Sequence, residues 1–189
     1  MTLPSVSISL PDWVEPTLDF QRAYTGDEEK MRLAIDLSRR NVEHGTGGPF
    51  GAAIFSRQSG RLVAVGVNSV VRLNNCTLHG EMMAFMLAQA RLGCFSLRGA
   101  AGEAYELATS CEPCAMCLGA TLWSGVTRLI CGATREDAIR VKFEEGPVFP
   151  ESLVYLEERG IEIVRGVLRD EASAVLEMYR ANEGPIYNG

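Results

Sequence analysis

Two short segments, His79-Gly80-Glu81 and Pro113-Cys114-Ala115-Met116-Cys117, constrain this chain more than any other feature. Together they offer one imidazole, two thiols and one free carboxylate. Three protein ligands on a tetrahedral Zn²⁺ leave one position open, which is the layout of a catalytic rather than a structural zinc site. A fold that uses His79, Cys114 and Cys117 as ligands must bring two distant stretches of chain to one point. Each stretch is followed by an apolar run of helical length, 79–92 and 114–123, so His79 and Cys114 are expected to open helices. Cys114 and Cys117 then lie one turn apart on one face, and Pro113 suits the residues leading into a helix. A helix start carries partial positive charge and favours a thiolate. Two thiolates neutralise Zn²⁺ and weaken it as a Lewis acid, so both helices are expected to aim at the metal and offset part of that loss. Glu81, two residues after His79, is within reach of solvent on the metal and is the expected proton carrier.

Other readings compete. Cys111 could close the open position and make the site structural. Cys111, Cys114 and Cys117 also have the spacing that begins an iron–sulfur motif, with Cys76 or Cys131 as the fourth ligand, but His79 and Glu81 would then have no role. A zinc module that only binds a partner is a third. The chain has six cysteines, three of them within seven residues, and this clustering reads as metal binding in a reducing compartment, with a cytoplasmic location expected.

A length of 189 residues with 47% apolar residues suits one domain with a sizeable core. Residues 1–16 carry no basic cluster and are interrupted by Pro4, Pro11 and Pro16, so no targeting segment is expected. No apolar run approaches the roughly 18 residues that span a bilayer, and no membrane partner is expected. The net charge of −6 weighs against a nucleic-acid partner.

Residues 1–24 read as an arm or loosely packed lead-in, and 25–189 as a single domain. Thr25 and Glu28 have capping-box spacing ahead of Met31, Ile35, Ser38 and Val42, which recur at helical intervals. The glycines of 45–49 end that helix. Residues 50–55 and 61–71 read as a strand pair around a turn at Gln58-Ser59-Gly60. The helices 79–92 and 114–123 are apolar nearly all round and are expected to be buried, with Met82, Met83 and Met86 in the core and Trp123 in the core or a subunit interface. Residues 105–109, 127–131 and 162–166 read as strands, 170–182 as an amphipathic helix, and the stretch through Glu144 and Glu145 as an acidic loop and helix. His44 precedes a glycine-rich loop and is expected to face solvent. Alternating strands and helices favour a three-layer α/β domain around a central sheet.

The pattern His-x-Glu followed by Pro-Cys-x-x-Cys marks zinc nucleobase deaminases. The chain resembles the cytidine deaminase superfamily and, within it, the bacterial guanine deaminases. The likeness extends to Gly47-Gly48-Pro49-Phe50-Gly51-Ala52, to Thr109-Ser110-Cys111-Glu112-Pro113-Cys114, to Phe143-Glu144-Glu145-Gly146-Pro147 and to Gly184-Pro185-Ile186-Tyr187-Asn188. It implies a three-layer α/β/α sandwich on a mixed five-stranded sheet and one Zn²⁺ per chain. The implied reaction is hydrolytic deamination of a free amino-heterocycle, guanine to xanthine plus ammonia. It assigns Asn68 to base contact and Glu145 to substrate contact and proton movement, with Cys111 as a lining or packing residue. Phe50 is a candidate stacking residue. Tyr187 belongs to a tail, 184–189, that in relatives closes over an active site, sometimes a partner's in a homodimer. A carboxylate at Glu145 suits guanine, whose ring N–H lies beside its exocyclic amine, and repels the acceptor nitrogen of cytosine. A tRNA adenosine deaminase, a nucleoside deaminase and a deaminase of an aminotriazine such as ammeline are the alternatives.

Overall fold

Four of the five strands are short apolar runs in which every residue but one is buried: β1 (Gly51–Ser56), β2 (Leu62–Val67), β3 (Tyr105–Cys111) and β4 (Arg128–Ala133). A strand buried on both faces needs a layer on each side. The computed structural model, which describes residues 2–187, has that arrangement. The sheet order is β2-β1-β3-β4-β5, with β5 at Glu162–Val164. β1 is antiparallel to β2 and β3, whereas β3–β4 and β4–β5 are parallel, so the five-stranded sheet is mixed.

Alternate strand residues serve the two cores, as the pleat requires. Ala53, Phe55, Ala108 and Ile130 pack with Met31 and Ile35 of α1 (Asp27–Glu43) and Val175 and Leu176 of α7 (Arg169–Ala181). Ala52, Ile54, Leu107 and Leu129 face Ala84, Phe85 and Ala88 of α3 (Gly80–Leu92), Leu156 of α6 (Pro150–Glu158), and the half-buried Leu118 and Leu122 of α4 (Ala115–Ser124). The remaining helices are the short α2 (Val70–Leu73) and α5 (Arg135–Arg140).

The structure revises several local expectations. Thr25 does not form a box with Glu28: its N–H and hydroxyl both bond Glu29, and Glu28 pairs with Arg32 instead. The apolar run 61–71 is strand only to Val67: the N–H of Asn68 still bonds the Phe50 carbonyl in register, but that of Ser69 goes to the Leu78 carbonyl and the chain turns into α2. The helix after Cys114 is not buried all round: Cys117, Thr121 and Ser124 face inward, while Trp123 is 79% exposed. Met83 is buried as expected, whereas Met82 and Met86 are half-buried. Residues 2–24 run along the outside but carry their own anchors, Val14 and Tyr24, both buried, and Ala23 bridges Arg61.

α5 is held by Asp137, whose carboxylate is 3% exposed and accepts from the Thr134 N–H at 2.9 Å and from Arg169 at 2.8 Å. The Arg169 hydrogen bond holds this carboxyl well below the usual range, against the opposing effect of burial. A depressed folded value means that the stabilisation is complete above the unfolded pKa of about 3.9 and is lost as pH falls below it. Asp137→Asn is therefore expected to flatten the acid limb of stability below about pH 4 and to cost on the order of 1–2 kcal/mol at neutral pH, read by urea denaturation at several pH values.

Candidate active site

His79 and Cys114 are the N-cap residues of α3 and α4. Both helices therefore start at the ligand set, as the charge argument required. The sequence makes this approach possible at Gly66: a Cβ there would lie 2.0 Å from the Gly80 carbonyl oxygen, so only glycine lets the first turn of α3 sit on β2. Cys114 Sγ lies 3.5 Å and Cys117 Sγ 3.6 Å from His79 Nδ1. A tetrahedron with Zn–N of about 2.0 Å and Zn–S of about 2.3 Å has an N···S edge of about 3.5 Å. The three donor atoms all fall within 4.8 Å of one another, so the donor set and its spacing fit zinc.

Cys111 does not complete the set. Its thiol, in the last position of β3, faces the Thr134 carbonyl at 3.6 Å. Cys76 is exposed and Cys131 is buried within the sheet, so the iron–sulfur arrangement is also absent among the described residues.

The thiols are electrostatically unequal. A hydrogen bond from Cys117, with further help from His79, holds Cys114 down at about 4, a thiolate at neutral pH. The backbone N–H of Cys117 also faces that sulfur, as expected at a helix start. His79 is held above its ordinary value: burial opposes this, but Cys114, Glu81 and Glu145 outweigh it.

Three buried glutamates line the site, Glu81, Glu145 and Glu112. Glu81 is 6% exposed, and burial together with the Cys114 charge raises it above the usual carboxylate range. Glu145 is 5% exposed and is pushed up to about 8 by burial and by the charges of Cys114 and Glu81. Its backbone carbonyl accepts from the Ala115 N–H, which ties the acidic loop to the first turn of α4. Glu81, Glu145, His79, Cys114, Phe50 and Glu112 line one cavity of about 10 Å³, close to the size of a single water.

The tail explains how small that space is. The Tyr187 ring packs 5.2 Å from Phe143 and 6.4 Å from His79, with its hydroxyl buried and unpartnered. A Cβ on Gly48 would lie 2.2 Å from that hydroxyl. Asn188 and Gly189, the end of the tail, lie outside the described residues. Asn68 sits beside the cavity rather than in its wall, fully buried, with its Nδ2 lacking a partner. Phe50 meets Phe143 edge-on at 4.9 Å.

A sequence model of the cytidine and deoxycytidylate deaminase zinc-binding region matches residues 25–133. The chain belongs to this deaminase family. It is a zinc-binding, hydrolytic deaminase. The guanine deaminase of Bacillus subtilis strain 168 is 34% identical over 77% of this chain and 89% of its own length. The solved guanine deaminase of Nitrosomonas europaea is 40% identical, with a TM-score of 0.89 over 96% of this chain and 99% of that one. A further solved neighbour, in complex with 8-azaguanine, is 39% identical, with a TM-score of 0.90 over 96% of this chain.

Of the residues named from the sequence, Phe50, His79, Glu81, Cys114 and Glu145 line this cavity, Cys117 and Tyr187 pack near His79, and Asn68 bonds the Phe50 carbonyl. Glu112 was not singled out, although it lines the cavity, is 7% exposed and pairs with Arg165 at 2.5 Å. Its signal was a charged residue directly before Pro113 in a ligand loop.

Proposed function

We propose that this chain hydrolyses the exocyclic amine of free guanine, giving xanthine and ammonia. The observation that carries the reading is the pair of buried carboxylates, Glu81 and Glu145, facing one cavity beside the His79, Cys114 and Cys117 donors. The guanine deaminases among its relatives support the choice of substrate. His79, Cys114 and Cys117 would hold zinc, which would supply Lewis acidity to the attacking solvent.

Glu81 accepts the proton that solvent loses as oxygen attacks C2 of the base, and returns it to the neighbouring ring nitrogen. Glu145, as a carboxylate, accepts from the ring N–H and amine of guanine, then takes the proton of the new C2 hydroxyl and passes it to the departing amine. The C2–N bond breaks as the C2–O bond is completed, and ammonia leaves. Asn68 turns its unpartnered Nδ2 toward the base, Phe50 packs on it, and Tyr187, with the tail from 184, withdraws to admit it and closes behind it. The chain acts as one domain, 25–189, preceded by an arm, 1–24. It works in the cytoplasm, as its free cysteines suit, and as a homodimer through the outward apolar side of α4, where Trp123 is bare.

Ammonia release tests the reading, on one panel of guanine, guanosine, cytosine, ammeline and a tRNA stem-loop, with zinc content and mass measured on the same sample. Guanine is expected to be turned over well ahead of the rest. Zinc-loaded protein that leaves guanine intact, or that forms inosine in the stem-loop, would sink it. The net charge of −6 and the acidic 144–145 loop argue against the stem-loop.

A further inference from the structure

Asn41, in the last turn of α1, is fully buried, and every polar group of its carboxamide is used. Its Nδ2 donates to the carbonyl oxygens of Gly48 and Asn68, both at 2.9 Å. Its Oδ1 accepts from the Thr46 hydroxyl at 2.7 Å. That hydroxyl in turn accepts from the indole N–H of Trp13 at 3.1 Å. The donor directions are consistent along the whole chain of bonds, from Trp13 to Thr46 to Asn41 and on to two carbonyls, which fixes the orientation of the amide. Trp13 is itself held by stacking on His44, with ring centres 5.2 Å apart and planes 9° from parallel. His44 is exposed, as its sequence suggests, but serves as the platform for this contact.

The two carbonyls belong to two different walls of chain that flank Phe50 beside the cavity, neither of them in its lining. Gly48 lies in the loop that leads to Phe50 and faces the Tyr187 hydroxyl. Asn68 follows β2, its N–H bonded to the Phe50 carbonyl at 2.9 Å and its Nδ2 buried without a partner. The walls approach so closely at Gly47 that a Cβ there would lie 1.9 Å from the Asn68 oxygen. Among the described residues Asn41 is therefore the one side chain that bonds to both, and Trp13 extends the link to the arm.

We infer that Asn41, braced by Thr46 and Trp13, is a positioning residue that sets where Asn68 meets the heterocycle, so that the arm takes part in substrate binding. The inference rests on the reading above that Asn68 contacts the base. A displacement of about 1 Å in such a contact costs up to about a hundredfold in rate, so the effect is measurable well away from the metal.

Steady-state kinetics on zinc-loaded Asn41→Leu, Thr46→Val, Thr46→Ser and Trp13→Phe proteins tests it, with zinc content and thermal midpoint measured on each. Asn41→Leu is expected to raise KM for guanine about tenfold or more with kcat within about threefold, the signature of lost substrate binding. Thr46→Val and Trp13→Phe are expected to raise KM about threefold, and Thr46→Ser, which keeps the hydroxyl, to restore it. Thr46 and Trp13 carry the test if Asn41→Leu does not fold. Wild-type KM in the variants, or a fall in thermal midpoint with KM unmoved, would make the relay a plain structural brace and overturn the inference. If the wild type ignores guanine, it is the substrate reading that has failed, and the same comparison is run on whichever panel compound releases ammonia.

Discussion

Glu81→Gln is expected to lower kcat on guanine by about three orders of magnitude, within the range usual for a lost general acid–base group, while zinc stays bound at one ion per chain. The substitution is nearly isosteric and leaves His79, Cys114 and Cys117 untouched. It removes the only chemistry Glu81 is proposed to supply, since an amide cannot hold the proton that solvent gives up. The fall should appear equally in kcat and kcat/KM, because the interaction is one made in the transition state. Folding stability should hold or rise. The wild-type carboxylate is buried and pushed above its normal range by burial and by Cys114, so it costs the fold free energy that a neutral amide does not. Lost turnover with retained zinc and an undiminished thermal midpoint separates chemistry from unfolding. A variant that keeps most of its turnover would remove Glu81 from the mechanism, and a wild type with no turnover to lose would return the chain to a zinc module that only binds a partner.

The metal set was legible because its constraint is local. Two ligand segments each precede a helical run, and a helix start is where an imidazole or a thiolate gains from the dipole. The five strands were legible for the same reason, each a short apolar run between turn residues. What escaped the sequence depends on partners distant along the chain. The apolar character of α4 shows that it avoids water but not what covers it, and its outer side, with Trp123, is bare in the single chain. Helix α6 was missed because it is short and follows the acidic loop, with Pro150 starting it and Leu156 its one buried residue. The run 61–71 looked like a single strand, yet after one more in-register bond from Asn68 to Phe50 the ladder stops, and Ser69 gives its N–H to the Leu78 carbonyl instead. Thr25 chose Glu29 over Glu28, a difference of one position that spacing rules do not resolve. The depth of Tyr187 in the pocket and the two bonds of Asn41 have no local signature at all.

Removing the Glu106 charge is expected to be strongly destabilising although it lies away from the active site. Glu106 is the second residue of β3, at the end of the sheet opposite the metal ligands, and its side chain is 2% exposed. One oxygen meets Lys30 of α1 at 2.6 Å and the other meets Arg128 of β4 at 3.0 Å. Arg128 also holds Asp27 at 2.6 Å and Glu162 at 2.8 Å, so it keeps counterions if Glu106 is lost. Lys30 does not: its side chain is 8% exposed, and the carboxylate it loses is its one ion-pair partner among the described residues. Glu106→Gln therefore leaves a buried ammonium unpaired, a situation that costs about 3–5 kcal/mol, a large share of the roughly 5–15 kcal/mol that holds a domain of this kind together. The double variant Lys30→Met, Glu106→Gln removes both charges and should recover most of the loss, because a buried pair contributes little beyond a well-packed apolar substitute. Urea denaturation of the wild type, both single variants and the double variant gives the cycle directly. Turnover per folded molecule should be unchanged throughout, since none of these groups reaches the cavity. A Glu106→Gln protein within about 1 kcal/mol of wild type would mean that solvent reaches Lys30 and that the pair behaves as a surface ion pair does.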